Sequence, residues 1–80
     1  MYTVNYHTGA GNGTAETLDD AKKVADNGAC YTQESITIED ENGQTVSMRH
    51  WWDCMDGIEG MENPIRFGAY GYYGDWEDAV

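Results

Sequence analysis

The sequence predicts an α+β domain: a small antiparallel sheet in β-α-β-β order, with one helix packed on one face. Two patterns support this prediction. Apolar and polar residues alternate near the N-terminus and in two later stretches, which is the period of a half-buried strand, and between them apolar residues recur at helical spacing. The chain has 80 residues, 40% hydrophobic and 12% aromatic, which fits one folded domain and not a disordered acidic segment.

The first part of the chain predicts a strand, a loop and a helix, in that order. Aromatic and apolar residues alternate with polar ones over residues 2–6, and the glycines of residues 8–16 then indicate a loop. Thr17 can cap the first backbone N–H groups of a short helix over about residues 18–27. The Asn-Gly pair at residues 27–28 favours a C-terminal cap at that point.

A β-hairpin is predicted next. Residues 35–39 alternate, and Asn42 with Gly43 predicts a tight turn, because both residue types tolerate the positive φ that such turns require. On the return strand, residues 45–52, even-numbered side chains lie on one face and odd-numbered side chains on the other. We expect His50, on the even-numbered face, to be a partly buried packing residue.

Residues 53–80 follow a different pattern. An acid–small–apolar triplet repeats from Asp53 and ends on a further acid, Glu62, shortly before Pro64. Residues 65–67 suit a short strand, and glycines then interleave with tyrosines and a tryptophan. The glycines argue against a long helix and the aromatics against disorder, so this part is expected to fold compactly.

The whole chain, residues 1–80, is expected to form a single domain. A β-α-β-β core occupies residues 1–52. The remainder adds the acidic triplet segment, residues 53–62, and a Gly/aromatic-rich C-terminal wrap that packs on the sheet and can add a short strand. Most aromatic side chains, Tyr31 included, are expected to complete a small core.

Charge is the strongest clue to function. Fifteen Asp and Glu residues stand against four Lys and Arg, a net charge of −11. Such a chain repels nucleic acids and anionic membranes, and it attracts basic surfaces, which are often nucleic-acid-binding ones. Acidity also improves solubility, but self-repulsion at this charge costs stability. The sequence has neither a signal-peptide pattern nor an apolar run long enough to span a membrane, so we expect a cytoplasmic protein.

The acids form clusters that are candidate partner-binding residues. If the triplet segment is helical or 3₁₀, its acids form one row that can resemble backbone phosphates, with the apolar residues facing the core. Alternatively, the apolar residues serve packing and the acids only solvate the outer face. The predicted partner-binding residues are Asp53, Asp56, Glu59 and Glu62 in the row, Glu39, Asp40 and Glu41 at the hairpin, and Tyr73, Asp75 and Trp76 near the C-terminus.

Neither a metal site nor catalysis is predicted. His7, Cys30, His50 and Cys54 are formally a Cys₂His₂ set, but zinc sites usually contain a closely spaced cysteine pair, which is absent from the sequence. In the cytoplasm Cys30 and Cys54 would by default be free thiols, and a single disulfide between them is the open alternative. The glycine run at residues 9–13 lacks the spacing and the lysine of a phosphate-binding loop. We therefore expect no cofactor and no enzymatic activity.

The layout resembles that of small proteins carried by phages and mobile elements. Residues 2–6, 17–25, 35–39 and 46–52, with the turn at residues 42–43, are similar in order and length to the βαββ type of anti-CRISPR inhibitor. The tail, residues 63–68 and 71–76, resembles the ends of uncharacterised proteins from Firmicutes mobile elements. The resemblance implies an inhibitor that binds a nucleic-acid-handling complex by surface contact.

Together these observations lead to a functional hypothesis. The chain is expected to be an acidic inhibitor, in the bacterial host cytoplasm, that binds a basic nucleic-acid-binding protein such as a CRISPR effector by nucleic-acid mimicry. It would bind neither nucleic acid nor membrane directly. The alternative is a small non-catalytic protein-interaction module of a mobile element, without nucleic-acid mimicry.

Overall fold

The computed structural model describes residues 1–8 and 13–79. Its strands form one antiparallel sheet in the order β2-β1-β3-β4-β6-β5. The elements are β1 (Tyr2–Asn5), β2 (Gly13–Ala15), α1 (Leu18–Gly28), β3 (Ile36–Glu39), β4 (Thr45–Trp52), a 3₁₀ helix (Ile58–Gly60), β5 (Ile65–Arg66) and β6 (Tyr72–Asp78). The α+β class and the β-α-β-β order of the long elements are confirmed.

Helix α1 covers one face of the sheet. Ala21 and Ala25 on the helix are fully buried. They belong to the same core as Val4, Ile36 and Ile38 in the middle of the sheet, which are also fully buried. The short alanine side chains let the helix approach the strands closely, and the apolar area removed from water stabilises this contact.

The predicted N-terminal cap of α1 is confirmed, and the C-terminal cap is shifted. Thr17 Oγ1 accepts a hydrogen bond of 3.1 Å from the Asp20 N–H. The helix includes Gly28, and the cap residue is Ala29 in an extended conformation. Gly28 is required for space, because a Cβ atom there would overlap the hydroxyl of Tyr6.

Two local predictions before and after the helix are wrong. Residues 13–15 are not loop but strand β2, which pairs with β1. A Cβ on Gly13 would lie 2.6 Å from Val24 Cγ1, so glycine lets this strand pack closely against the helix. Residues 9–12 of the predicted loop lie outside the described residues. The tight turn predicted at Asn42 and Gly43 is also wrong, because only Gly43 has a positive φ, of 80°. The turn is wider, and Asp40 Oδ1 accepts hydrogen bonds from two of its backbone N–H groups.

The C-terminal wrap contributes more to the sheet than one edge strand. Strand β6 lies between β4 and β5, and β5 is the short edge strand. The aromatics complete the core as predicted: Trp51 is 7% exposed, Tyr72 1% and Tyr73 0%. The Trp51 and Tyr73 rings meet edge to face with centroids 5.1 Å apart, a favoured geometry for aromatic pairs.

The two faces of β4 are buried to different extents. The odd-numbered side chains Ser47, Arg49 and Trp51 are buried on the helix side. His50, on the other face, is partly buried as predicted, and its ring centroid lies 4.5 Å from that of Trp52. No helix in the described part of the chain is long and apolar enough to cross a membrane.

Candidate partner-binding surface

Arg49, one of the four basic residues, is used inside the fold. Its side chain is 3% exposed. Its Nε donates to Asp26 Oδ1 at 3.0 Å, and its Nη1 donates to the carbonyl oxygens of Asn63 and Gly74, both at 2.8 Å. Its guanidinium also lies over the Trp76 ring, 5.3 Å from the centroid. This cation therefore joins α1, β4, β6 and the residue that follows the triplet segment, and its one ion pair among the described residues is with Asp26.

Lys22 is the second basic residue with an internal partner. Its Nζ lies 2.9 Å from Asp78 Oδ1, which links α1 to the end of β6. The Ser47 hydroxyl donates to the same carboxylate at 2.7 Å. The hydrogen bond from Ser47, and then that from Lys22, lowers the pKa of Asp78. Asp78 is thus a structural acid.

The surface keeps a large excess of carboxylates. Lys23 and Arg66 are exposed, and neither forms an ion pair with any described residue. Eight exposed acids have side chains that make no hydrogen bond or ion pair within residues 1–8 and 13–79. They are Glu16, Asp19, Asp20, Glu34, Asp56, Glu59, Glu62 and Glu77. These carboxylates remain available to an external cation.

The acids of the triplet segment do not form one helical row. Only Ile58–Gly60 is helical, as a single 3₁₀ turn, and it starts after Gly57, whose φ of 87° is left-handed. The chain therefore turns between Asp56 and Glu59, and helical spacing is lost. The prediction of a continuous row is wrong because the glycines within two of the triplets favour turns over helix.

The triplet segment is nevertheless held against the sheet at its start and middle. The Trp51 Nε1–H donates to Asp53 Oδ1 at 2.7 Å. The Tyr72 hydroxyl donates to the carbonyl oxygen of Asp56 at 3.0 Å. The carboxylate of Asp53 thus has an internal partner, whereas that of Asp56 is exposed while its backbone is fixed.

Asp75 fixes the other end of the segment. Its two carboxylate oxygens accept hydrogen bonds from the backbone N–H groups of Glu62 at 2.8 Å and Asn63 at 2.6 Å. These bonds, the one from Glu62 first, lower the pKa of Asp75. The predicted apolar residues Met55, Ile58 and Met61 are half-buried. Packing and exposed acidity therefore occur together in this segment.

The predicted acids at the hairpin all have internal contacts. Asp40 accepts the turn hydrogen bonds already described. Glu39 Oε2 accepts from Asn5 Nδ2 at 3.2 Å, and Glu41 Oε1 lies 2.7 Å from the N-terminal amine of Met1. The hydrogen bond from that amine lowers the pKa of Glu41. This cluster is less available to a partner than the triplet segment.

The two predicted aromatic anchors are structural. Tyr73 is 0% exposed, and its hydroxyl donates to the carbonyl oxygen of Cys30 at 2.8 Å. Burial raises the pKa of Tyr73. Trp76 is half-buried, and its Nε1–H donates to Asp26 Oδ1 at 3.2 Å. Burial excludes Tyr73 as a surface anchor, and Trp76 serves the Arg49 contact.

Sequence reasoning missed the aromatics that do reach the surface. Tyr70 is 71% exposed, Tyr31 48% and Trp52 42%. The prediction that Tyr31 belongs to the core is wrong: its ring packs on those of Trp51 and Phe67, yet about half of the residue remains exposed. The local sequence contains no signal for Tyr70, because the buried Tyr73 also has a glycine close by on each side.

The structure gathers no metal site among the residues it describes. No three His, Cys, Asp or Glu side chains in residues 1–8 and 13–79 are close enough together to hold an ion. Cys30 and Cys54 are both free and exposed. Comparison with known proteins gives no match: no family model, curated protein or solved structure matches this chain.

Proposed function

We propose that this protein is an acidic inhibitor that binds the basic, nucleic-acid-binding surface of a host defence complex in the bacterial cytoplasm. The observation that carries the proposal is the unequal use of charge. Arg49 and Lys22 are engaged within the fold, while eight exposed carboxylates have no partner among the described residues. Such a surface attracts cations and repels phosphate.

The triplet segment is the principal contact in this proposal. Asp56, Glu59 and Glu62 are exposed, and the hydrogen bonds from Tyr72 and to Asp75 fix the backbone on either side of them. Carboxylates on a fixed backbone lose little conformational freedom when they bind, which favours affinity. They would contact Lys and Arg residues that otherwise hold nucleic-acid phosphates.

The resemblance to anti-CRISPR inhibitors points to a CRISPR effector as the complex. The guide and target strands of such an effector lie in a positively charged channel. An acidic protein that occupies this channel would exclude the nucleic acid. Electrostatic steering would make association fast at low salt and slower as salt rises.

The second candidate function is a protein-interaction module that does not mimic nucleic acid. The exposed rings of Tyr31, Trp52 and Tyr70 favour it, since tyrosine and tryptophan are frequent interface anchors. Such a module would bind a target irrespective of the nucleic acid that the target holds.

A displacement assay separates the two functions. A purified effector is incubated with labelled guide RNA or target DNA, and the protein is titrated in at low and at high salt. Mimicry predicts displacement of the label that weakens at high salt. Binding without displacement would contradict mimicry and favour the interaction module.

A further inference from the structure

The exposed tyrosines lie together at one end of the molecule. The ring centroids of Tyr31 and Tyr70 are 5.8 Å apart. Behind them, Tyr31 packs on Trp51 at 5.6 Å and on Phe67 at 6.0 Å. We call Tyr31, Trp51, Phe67 and Tyr70 the end patch. Its inner rings are packed, and its outer tyrosines face solvent.

The spacing of the rings limits what the end patch can bind. Centroid distances of 5.6 to 6.0 Å are those of rings in contact, so no group fits between them. A ligand must contact the exposed part of these rings, which is largest at Tyr70 (71% exposed) and smaller at Tyr31 (48%). A flat group suits that position better than a round one.

Among flat groups, the end patch favours those with a positive charge. The face of an aromatic ring attracts cations, and arginine stacks its planar guanidinium on such faces. The carboxylate of Asp53 adjoins the patch, because its Oδ1 accepts the hydrogen bond from the Trp51 ring. Asp53 is exposed. Within the described residues, the one cation that lies over an aromatic ring is Arg49 over Trp76, so the faces of the end patch hold no internal cation.

We propose that the end patch binds an arginine side chain presented by the basic partner. The guanidinium stacks on the exposed ring of Tyr70 and meets the ring of Tyr31, which is inclined at 41° to it. The carboxylate of Asp53, bonded to the Trp51 ring, adds a negative charge to the patch. This inference rests on the proposed function, since it assumes a basic protein as partner. It adds a preference that charge alone does not give: arginine over lysine, whose compact ammonium does not stack as a plane.

The test uses two homopeptides of equal length, one of arginine and one of lysine, titrated into the full-length chain by calorimetry. We expect the arginine peptide to bind about two- to fivefold more tightly. The preference should disappear in Tyr70→Ala and persist in Tyr70→Phe, which keeps the ring. Thermal unfolding establishes that both variants are folded, and chemical-shift mapping should place the arginine peptide on the rings of Tyr31 and Tyr70.

The possible outcomes separate this inference from the proposed function. Equal affinity for the two peptides, or an arginine preference that survives Tyr70→Ala, overturns the end patch and leaves acidic binding in place. An arginine preference that depends on Tyr70, with no displacement of nucleic acid from an effector, supports the patch and overturns mimicry. Failure of both peptides to bind overturns both.

Discussion

The helix side of the sheet and the triplet segment use charge in opposite ways. On the helix side, Arg49 is buried and its donors meet Asp26 and two backbone carbonyl oxygens. In the triplet segment, Asp56, Glu59 and Glu62 expose carboxylates that make no hydrogen bond or ion pair with any described residue. The difference indicates that Arg49 and Lys22 serve stability, whereas the carboxylates of Asp56, Glu59 and Glu62 are not needed for folding. Substitution of Arg49 should therefore lower the stability of the fold, whereas substitution of the triplet acids should weaken partner binding and change stability little.

The largest effect on stability is expected at Arg49. Arg49→Met removes the donors to Asp26, Asn63 and Gly74 and the contact with the Trp76 ring, and it leaves the buried Gly74 carbonyl without this donor. It should lower the free energy of unfolding by about 3 kcal/mol. Urea denaturation measures the change. Arg66→Met, at an exposed basic residue, is the control and should stay within about 0.5 kcal/mol of the parent. Equal losses in the two variants would contradict the structural role of Arg49.

Substitution of two glycines should also affect stability differently in the sheet and in the triplet segment. A Cβ on Gly71 would lie 2.6 Å from Trp51 Cζ2, and the φ of Gly71 is 156°, so Gly71→Ala should cost about 2 kcal/mol of unfolding free energy. Gly60, in the triplet segment, has no atom within 4 Å of that position. Gly60→Ala should therefore change stability little. Thermal denaturation of both variants measures the difference, and a larger loss at Gly60 would break the comparison.

A smaller effect is expected from acid. The pKa values of Asp75 and Asp78 lie below their ordinary 3.8, chiefly because the Glu62 N–H and the Ser47 hydroxyl donate to them. A lowered folded pKa means that the stabilisation is complete above the ordinary pKa and is lost as pH falls through the folded one. The urea midpoint should drop between about pH 5 and about pH 2.

Two variants sharpen this pH prediction. Asp78→Asn should reduce the loss of stability in acid, since the variant has one fewer carboxyl to protonate. Glu77→Gln, at a neighbouring acid whose carboxylate makes no hydrogen bond or ion pair among the described residues, should leave the pH profile as it is in the parent. An unchanged profile in Asp78→Asn would show that the Ser47 and Lys22 contacts do not stabilise the fold.

Local patterns in the sequence predicted the main elements, and long-range contacts account for what they missed. Thr17 predicts the start of the helix, because its side chain accepts a hydrogen bond from a backbone N–H only three residues later. The strand β2 was missed because it has three residues and exists through its pairing with β1. Strand β6 was underestimated for a similar reason, since its neighbours come from two distant parts of the chain.

The candidate surface was predicted only in part. Net charge is a property of composition, and it correctly indicated an acidic exterior. Which acids are free depends on contacts: Asp75 and Asp78 bond backbone and side-chain donors far away in sequence, and no local pattern reveals this. The tyrosines show the same limit, because Tyr73 and Tyr70 have similar glycine-rich surroundings but are 0% and 71% exposed.

The central claim is that binding to a basic nucleic-acid-binding surface depends on the positions of the carboxylates in the triplet segment, and not on net charge alone. The most direct test compares two variants with equal net charge in the effector displacement assay. One replaces the triplet acids: Asp53→Asn, Asp56→Asn, Glu59→Gln and Glu62→Gln. The control replaces other exposed acids: Glu16→Gln, Asp19→Asn, Glu34→Gln and Glu77→Gln.

Both variants should fold, as judged by thermal denaturation, since surface substitutions usually change stability by less than about 0.5 kcal/mol each. The triplet variant should displace labelled nucleic acid about tenfold less effectively, because several charge contacts of about 0.2–1 kcal/mol each are lost. The control should retain most of the activity. Equal activity in the two variants, whether kept or lost, would contradict the claim.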